Sequence, residues 1–334
     1  MTAKEFALIS TLHRILKPAG DDILTGIGDD AAVVATGGHP LAACTDTLVA
    51  GRHFFPEVPA SDLAWKSLAV NLSDLAAMGA APQWALLNLV LPAGLPAAEN
   101  WVEDFAHGWE CLARRWNVRL VGGDTVASDG PLTVTVTALG LLEGPAMLRS
   151  GARPGDEIWV SGCLGDAAIA LDLERRRRPG GSVPAPGSPE ACLEERRLRP
   201  VPRIALGMRA RALGVRCAQD VSDGFLADLG HILRASGVSA EIDAGALPLS
   251  PAAASYCAGN WEAILQYPLT GGDDYELLLC LPSALGPRLL AEAAACGTRV
   301  TRVGRILADP GPPALFWQGR AYPLPESGGH EHAF

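Results

Sequence analysis

Residues 25–34 read TGIGDDAAVV, in which two glycines lead to the adjacent aspartates Asp29 and Asp30 and then to an apolar run. The run from residue 31 to 35 has the composition of a short strand. Two unit charges about 4 Å apart repel by roughly 4 kcal/mol at an effective dielectric near 20, so neighbouring carboxylates in a fold favour a bound cation or an arginine. The stretch therefore predicts a cation site beside a strand.

Residues 26–31 of this stretch also match the dinucleotide-binding pattern G-x-G-x-x-G/A. That pattern presents backbone N–H groups and a helix N-terminus to a pyrophosphate, which two aspartates would repel. A strand also follows here where the pattern requires a helix. We reject the match, because these aspartates suit a phosphate only if a metal ion lies between them.

Five further segments place aspartate beside glycine, serine, threonine or asparagine, at what we predict to be strand ends or helix edges. They are TDT (45–47), NLSD (71–74), GGDT (122–125), DVSDG (220–224) and GGDD (271–274). Ordinary turn chemistry explains any one of them. Six segments of one kind, counting residues 25–34, favour carboxylates that converge in the fold.

Length and composition limit the number of domains and the class of protein. A chain of 334 residues predicts about two domains, and 49% hydrophobic with 19% charged residues is typical of a globular protein. The net charge of -10 argues against nucleic acid as a partner, and no run of 18 apolar residues predicts a membrane span. The eight cysteines form no CxxC pair, and the N-terminus resembles an amphipathic helix and no signal peptide, so we expect a cytoplasmic protein with reduced thiols.

The order of the predicted elements indicates an α/β protein. We predict helices over 61–78, with Ser61 as N-cap and Gly79 as its end, and over 98–116. Strands are predicted over 84–91, 119–121 and 132–142, the last from its alternation of threonine and valine. A turn-rich segment near residue 147 marks the domain boundary.

The second domain repeats the combination of strand, aspartate and helix. Asp223 precedes a predicted helix and could cap it, whereas capping does not explain Asp220. Arg149 in the connecting segment is either a phosphate contact or a solvated linker residue, and His53 is either a surface residue or part of the site near Asp46. Residues 174–190 read as a surface insertion with solvated arginines.

The motifs GIGDDAA, CTDTLVAGRHF, NLSDLAAMGA, VGGDT, RSGARPGD, DVSDG and GGDDYEL occur in this order along nearly the whole chain. They resemble those of thiamine-monophosphate kinases, in the superfamily that includes aminoimidazole ribonucleotide synthetase. The resemblance implies a two-domain subunit of α/β (α+β type) fold. Residues 1–146 would form an ATP- and metal-binding domain whose sheet and flanking helices pair in a homodimer, and residues 147–334 a C-terminal α/β domain. The implied reaction is the ATP-dependent phosphorylation of thiamine monophosphate to the diphosphate.

The resemblance also implies roles for individual residues. The implied Mg²⁺ ligands are Asp30, Thr45, Asp46, Asp74, Asp124, Asp220 and Asp223, with Asp74, Asp124 and Asp220 taken as catalytic. The implied ATP contacts are Gly123, Asp124, Arg149 and Ser222, and the implied contacts to thiamine monophosphate are His53 and Asp273. Asp273 is one methylene shorter than the glutamate common in the family. The family's C-terminal aromatic on the thiamine ring has no counterpart in register, with Trp317 and Phe334 as the candidates.

The implied chemistry needs no catalytic base. A phosphate monoester is largely dianionic at neutral pH, so its oxygen is already nucleophilic. Oxygen ligands suit several Mg²⁺ ions, and no Walker A sequence is present. Alternatives are another ATP-using member of the superfamily that activates an amide, a carbamoyl group or selenide, a metal-dependent phosphohydrolase, or a metal-stabilised binding module. A selenide enzyme would be expected to carry a reactive cysteine near its N-terminus, and the first cysteine here is Cys44.

Overall fold

The computed structural model describes residues 22–25, 29–95, 97–177, 184–257 and 261–325. The helix predicted at the N-terminus, the two glycines before Asp29 and the candidate aromatic Phe334 lie outside these residues. The first half contains β1 (Ile23–Thr25), β2 (Ala32–Val34), β3 (Leu41–Val49), α1 (Ala60–Met78), β4 (Ala81–Pro92), α2 (Ala98–Trp116), β5 (Arg119–Ser128) and β6 (Thr133–Leu141).

The second half begins after a 3-10 turn at Arg149–Gly151. Its strands are β7 (Glu157–Ser161), β8 (Cys217–Val221), β9 (Ser239–Asp243), β10 (Glu276–Leu281), β11 (Val300–Leu307), β12 (Ala314–Trp317) and β13 (Arg320–Tyr322). Its helices are α3 (Asp166–Arg176), α4 (Pro189–Leu198), α5 (Ile204–Ala212), α6 (Phe225–Ser236), α7 (Pro251–Tyr256), α8 (Trp261–Thr270) and α9 (Gly286–Ala295).

The first sheet has the order β1-β2-β3-β6-β4-β5 and is antiparallel except for the parallel pair β4 and β5. One face is covered by α1, which packs against β3 and β6. Val134, Val136 and Ala138 of β6 point into this core, and the alternating threonines are only half-buried on the other face. The alternation predicted from the sequence is therefore confirmed, with one face of β6 in the core and the other only half-buried.

The second sheet has the order β13-β12-β9-β11-β7-β10-β8. Strand β10, with the sequence ELLLCL, lies between β7 and β8 and is buried along its whole length. A strand buried on both faces is expected to be continuously apolar, which β10 is apart from Glu276. The two sheets and their helices confirm the predicted mixed α/β fold.

Helix α1 joins the two halves. It contacts β3, β6 and α2 on one side and α5, β8 and β10 on the other. Leu68 and Leu72 of α1 belong to the same hydrophobic core as Leu277 of β10. A Cβ on Gly207 of α5 would lie 2.0 Å from the carbonyl oxygen of Ala76, so the two helix backbones are in direct contact. The domain boundary at residue 147 stays a prediction, and it lies in the connection between the sheets.

Two predicted element ends are wrong. Helix α1 begins at Ala60 after Pro59, with no side-chain cap, so Ser61 is not its N-cap; Gly79, with φ 72°, does end it. GGDT lies inside the ten-residue strand β5 and does not follow a short strand.

Among the described residues, no helix has the length and apolar character needed to span a bilayer. The cytoplasmic location stays a prediction.

Candidate active site

A cavity of about 1580 Å³ lies between the two halves. It is lined by Asp30, Thr45, Asp46, His53, Asp74, Arg149, Asp220, Ser222, Asp223 and Asp273, which are all the predicted site residues except Gly123 and Asp124. Pockets for one small ligand commonly have a volume of about 300 to 1,000 Å³, so this cavity has room for two ligands.

The carboxylates at one end of this cavity come from distant parts of the chain. Asp30 precedes β2, Asp74 lies on α1, and Asp220 lies on β8. One oxygen from each lies within 4.8 Å of the other two. Asp220 is 3% exposed, and the Ser73 hydroxyl donates to its Oδ2 at 2.6 Å. The convergence inferred from the sequence is therefore present for these three residues.

Burial and mutual repulsion disfavour the charged forms of these carboxylates. Burial, together with the charge of Asp30, raises the pKa of Asp220 to about 8. Burial, with the charges of Asp30 and Asp223, raises the pKa of Asp46 to about 6. The pKa of Asp74 is raised well above its ordinary value by burial and by Asp46 and Asp220. Such a group of acids is stabilised by any cation that binds among them.

Arg149 supplies part of the missing positive charge. Its Nε donates to Asp30 Oδ1 at 3.1 Å, its Nη2 contacts the same oxygen, and its backbone N–H donates to Asp29 Oδ2 at 3.0 Å. Asp30 Oδ2 is buried without a hydrogen-bond partner. A buried carboxylate oxygen that is left unpaired beside two other carboxylates is what an oxygen-coordinated ion would satisfy, so the residues present fit Mg²⁺.

Asp228 folds the DVSDG loop. Its Oδ2 accepts the backbone N–H groups of Ser222, Asp223 and Gly224, each at 3.1 Å, and its Oδ1 accepts from Gln219 Nε2 at 2.8 Å. The capping role predicted for Asp223 is wrong, because α6 has no side-chain cap at its N-terminus, and the carboxylate that accepts the loop N–H groups is that of Asp228 in the first turn of the helix. Ser222 and Asp223, whose backbone N–H groups Asp228 accepts, both line the cavity.

His53 lies in the turn after β3. Its Nδ1 accepts the backbone N–H of Val49 at 3.0 Å. A neutral imidazole that accepts at one nitrogen carries its proton on the other, so His53 has an N–H donor at Nε2. This donor belongs to a residue that lines the cavity.

Asp273 is held by two donors from different halves of the chain. Lys66 Nζ donates to its Oδ2 at 2.8 Å, and the Tyr275 hydroxyl donates to its Oδ1 at 3.0 Å. Burial alone would raise the pKa of Asp273, but Lys66, together with Tyr275 and Arg197, outweighs burial and holds the pKa below its ordinary value. Asp273 and Tyr275 have left-handed backbones, with φ 68° and 51°, and such strain in non-glycine residues concentrates at functional sites.

Gly123 and Asp124 lie away from this cavity on the exposed edge strand β5. Three strand spacings separate β5 from β3, which is about 14 Å. A Cβ on Gly123 would lie 1.8 Å from the Leu87 carbonyl oxygen, so in this structure a neighbouring strand requires the glycine. Within one chain, Asp124 is not brought to the other carboxylates.

Sequence reasoning missed charged residues that lie inside apolar segments. Glu276, 1% exposed, accepts hydrogen bonds from Arg203, Arg196 and Ser161. Burial would raise its pKa, and the two arginines hold it below the ordinary value. Lys66 is similarly enclosed at 4% exposure. The available signal was a single charge within an otherwise apolar run, which requires a buried partner.

Two other expectations changed with the structure. Trp317, a candidate for the ring-packing aromatic, lies on β12 against Tyr322 and does not line the cavity. Arg175 and Arg176, which were interpreted as solvated arginines of an insertion, are exposed but stand at the edge of the cavity. The basic rim and the acidic floor give the cavity both signs of charge.

Two family models match the chain. The N-terminal domain of AIR synthase related proteins matches residues 28–142, and the C-terminal domain of the same family matches residues 153–313. A thiamine-monophosphate kinase of Salmonella typhimurium is 41% identical over 312 residues, which cover 92% of each chain.

Solved structures agree with these matches. The crystal structure of a thiamine-monophosphate kinase from Stenotrophomonas maltophilia K279a has 43% identity and a TM-score of 0.77, over 96% of this chain and 99% of that one. AaThiL, solved in complex with AMPPCP and TMP, has 32% identity and a TM-score of 0.83, over 98% of this chain and 97% of that one.

Proposed function

The chain belongs to the thiamine-monophosphate kinase family, and from this premise we propose that it transfers the γ-phosphoryl group of ATP to thiamine monophosphate. The observation that supports this most directly is the convergence of Asp30, Asp74 and Asp220 in a cavity large enough for two ligands. A related protein of the same fold has been solved with an ATP analogue and TMP together. The products would be ADP and thiamine diphosphate.

The residues of the chain would act by positioning the two anions. The phosphate of the acceptor has a second pKa near 6 and is largely dianionic at neutral pH, so no side chain needs to remove a proton from it. The remaining barrier is the repulsion between two anions and the charge that spreads over the transferring group. Arg149 and the N–H of His53 are donors that line the cavity, and we assign them to the phosphates of ATP and of the acceptor respectively.

The carboxylates would hold the metal ions. We assign Asp30, Asp74 and Asp220 as the central ligands of several Mg²⁺ ions, with Thr45, Asp46 and Asp223 as further ligands, and Ser222 as an ATP contact. Mg²⁺ held by these residues would supply positive charge that neutralises the phosphates. We propose direct in-line transfer, and a phosphoenzyme formed from ATP would contradict it.

The proposed homodimer accounts for the position of Asp124. Leu120, Val121 and Val126 of β5 and Leu86 of β4 are each more than a third exposed. Apolar side chains on a sheet edge favour burial against another chain. We propose that a second copy covers this edge, and that Asp124 and Gly123 of one subunit complete the nucleotide site of the other.

Mixing two inactive variants tests this arrangement. Asp124→Asn and Asp220→Asn would each abolish activity alone. If Asp124 acts across the dimer, a mixed dimer regains one site with both aspartates intact, so mixing after partial unfolding and refolding should restore part of the activity. If no activity returns while mixed dimers are present, Asp124 acts within its own chain, and an Asp124→Asn variant that is active alone would show that Asp124 has no role.

One assay separates the proposed function from the alternatives. With Mg²⁺ and ATP, ADP formation should depend on thiamine monophosphate, and Asp74→Asn should abolish it. Phosphate release without an acceptor would indicate a phosphohydrolase, and AMP would indicate a different activation reaction. No turnover with any acceptor would indicate a binding module. Each of these three results contradicts the kinase.

A further inference from the structure

One face of α1 runs along the cavity floor. Val70 and Asp74 both line the cavity, and Lys66 lies a further turn toward the N-terminus of the helix. Residues four apart lie on the same helix face, so Lys66, Val70 and Asp74 form a single row. At 1.5 Å per residue, the ends of this row are about 12 Å apart along the axis. The row begins at the Lys66–Asp273 ion pair and ends among the carboxylates.

The ion pair is asymmetric in its exposure. The Lys66 side chain is 5% exposed and does not line the cavity, whereas the Asp273 side chain is 36% exposed and does. Each carboxylate oxygen of Asp273 accepts one hydrogen bond from the protein, from Lys66 or from Tyr275, and has capacity for another. The ammonium therefore fixes the carboxylate from behind and leaves its open side toward the cavity.

The backbone around Asp273 is fixed as well. The Asp273 N–H donates to the Ser222 carbonyl at 2.7 Å, and the Tyr275 N–H donates to the Val221 carbonyl at 2.8 Å. Phe55 lines the same cavity, with the Arg197 guanidinium 5.6 Å from its ring centroid. A cavity lined by an ionised carboxylate and by an aromatic ring suits a flat heterocycle that carries an N–H donor.

We propose that Lys66 is a positioning residue and that α1 sets the span of the acceptor. The acceptor phosphate would lie near Asp74 at one end of the row, and Asp273, held by Lys66 at the other end, would accept a hydrogen bond from the amino group of the heterocycle. The inference rests on the proposed function, because thiamine monophosphate joins a phosphate to an aminopyrimidine. It goes beyond that function in one respect: Lys66, which lies outside the cavity, determines how tightly the pyrimidine ring is bound.

Binding of two ligands tests the inference. The dissociation constants of thiamine monophosphate and of the thiazole monophosphate that lacks the pyrimidine are measured by calorimetry, with Mg²⁺ and a non-hydrolysable ATP analogue. Lys66→Met and Asp273→Asn should each raise the dissociation constant of thiamine monophosphate by about tenfold or more, which is the loss expected for a hydrogen bond to a charged group. The dissociation constant of the thiazole monophosphate should change by less than about twofold, because this ligand does not reach Asp273. Lys66→Arg, which keeps the charge, should restore part of the affinity.

Asp62→Asn provides the matched control. Asp62 lies on α1 one turn before Lys66 and pairs with Arg199, so it also joins the two halves, but it does not line the cavity. This variant should leave both dissociation constants unchanged. Equal weakening of both ligands by Lys66→Met, or wild-type affinity for both, would refute the positioning role. A wild-type protein that forms no ADP with thiamine monophosphate would refute the proposed function itself, and this inference with it.

Discussion

Replacing Asp220 by asparagine should stabilise the metal-free protein while it abolishes activity. The side chain keeps its size, and its amide oxygen can still accept from the Ser73 hydroxyl. What is removed is a buried acid that lies within 4.8 Å of two others. A cluster of acids that binds cations destabilises the fold when no cation is bound. The sign of the change in the free energy of unfolding therefore tests whether the cluster is a cation site.

The size of the expected change in the free energy of unfolding follows from the pKa of Asp220. It lies at about 8 in the fold against 3.8 for the free side chain. At pH 7 the unfolded residue is ionised while the folded one stays protonated, which costs about 1.4 kcal/mol for each of about three pH units, or about 4 kcal/mol. This is an upper bound, because the neighbouring acids share protons and relax. We expect Asp220→Asn to raise the free energy of unfolding by about 1 to 3 kcal/mol.

Urea unfolding in EDTA and in Mg²⁺ measures this effect. The wild-type protein should gain about 2.7 kcal/mol or more from Mg²⁺ at 100 times its dissociation constant, and the variant should gain much less. The kcat of the variant should fall by about 100-fold or more. Asp243→Asn, at an exposed position, controls for loss of one negative charge. Destabilisation of the metal-free variant, or an undiminished response to Mg²⁺, would refute the reasoning.

Without divalent cations, the free energy of unfolding should fall as pH rises from about 4 to about 8, because raised pKa values at Asp46 and Asp220 mean that the folded protein binds more protons than the unfolded chain. Mg²⁺ should flatten this slope, and a rising slope in EDTA would contradict it. Gly207→Ala should lower the free energy of unfolding, measured with urea, by about 1 to 3 kcal/mol, because the new Cβ would strike the Ala76 carbonyl. Gly38→Ala, where a Cβ meets no atom within 4 Å, is the neutral control. Asp228→Ala should destabilise the protein by about 1 to 3 kcal/mol and raise the KM for ATP, since the N–H groups of Ser222, Asp223 and Gly224 lose their acceptor; an unchanged KM would show that the loop conformation does not depend on Asp228.

The convergence of Asp30, Asp74 and Asp220 could be predicted because each aspartate belongs to a short segment that combines aspartate with glycine, serine or asparagine, and six such segments recur along the chain. Nothing in the sequence distinguishes an edge strand from a central one, so the exposure of Asp124 on β5 could not be predicted. The resemblance supplied a role for Asp124 and no indication of which subunit uses it.

Roles that depend on side-chain direction were harder to predict. Asp223 stands where a helix cap is expected, yet the carboxylate that accepts the loop N–H groups is Asp228, which reaches back from the first turn of α6. Lys66 lies in a helix predicted from its apolar residues, and its partner is 207 residues away in the chain. A pairing over such a separation leaves no local pattern.

The direct contact between α1 and α5 limits how this protein can move. Where the Gly207 Cα lies against the Ala76 carbonyl, no side chain separates α1 from α5, so these two helices have little room to slide past each other. Admission of ATP and release of products would then depend on short rim segments, such as residues 51–55, while the frame keeps its shape. Small-angle scattering should accordingly give the same radius of gyration for the protein with and without its ligands.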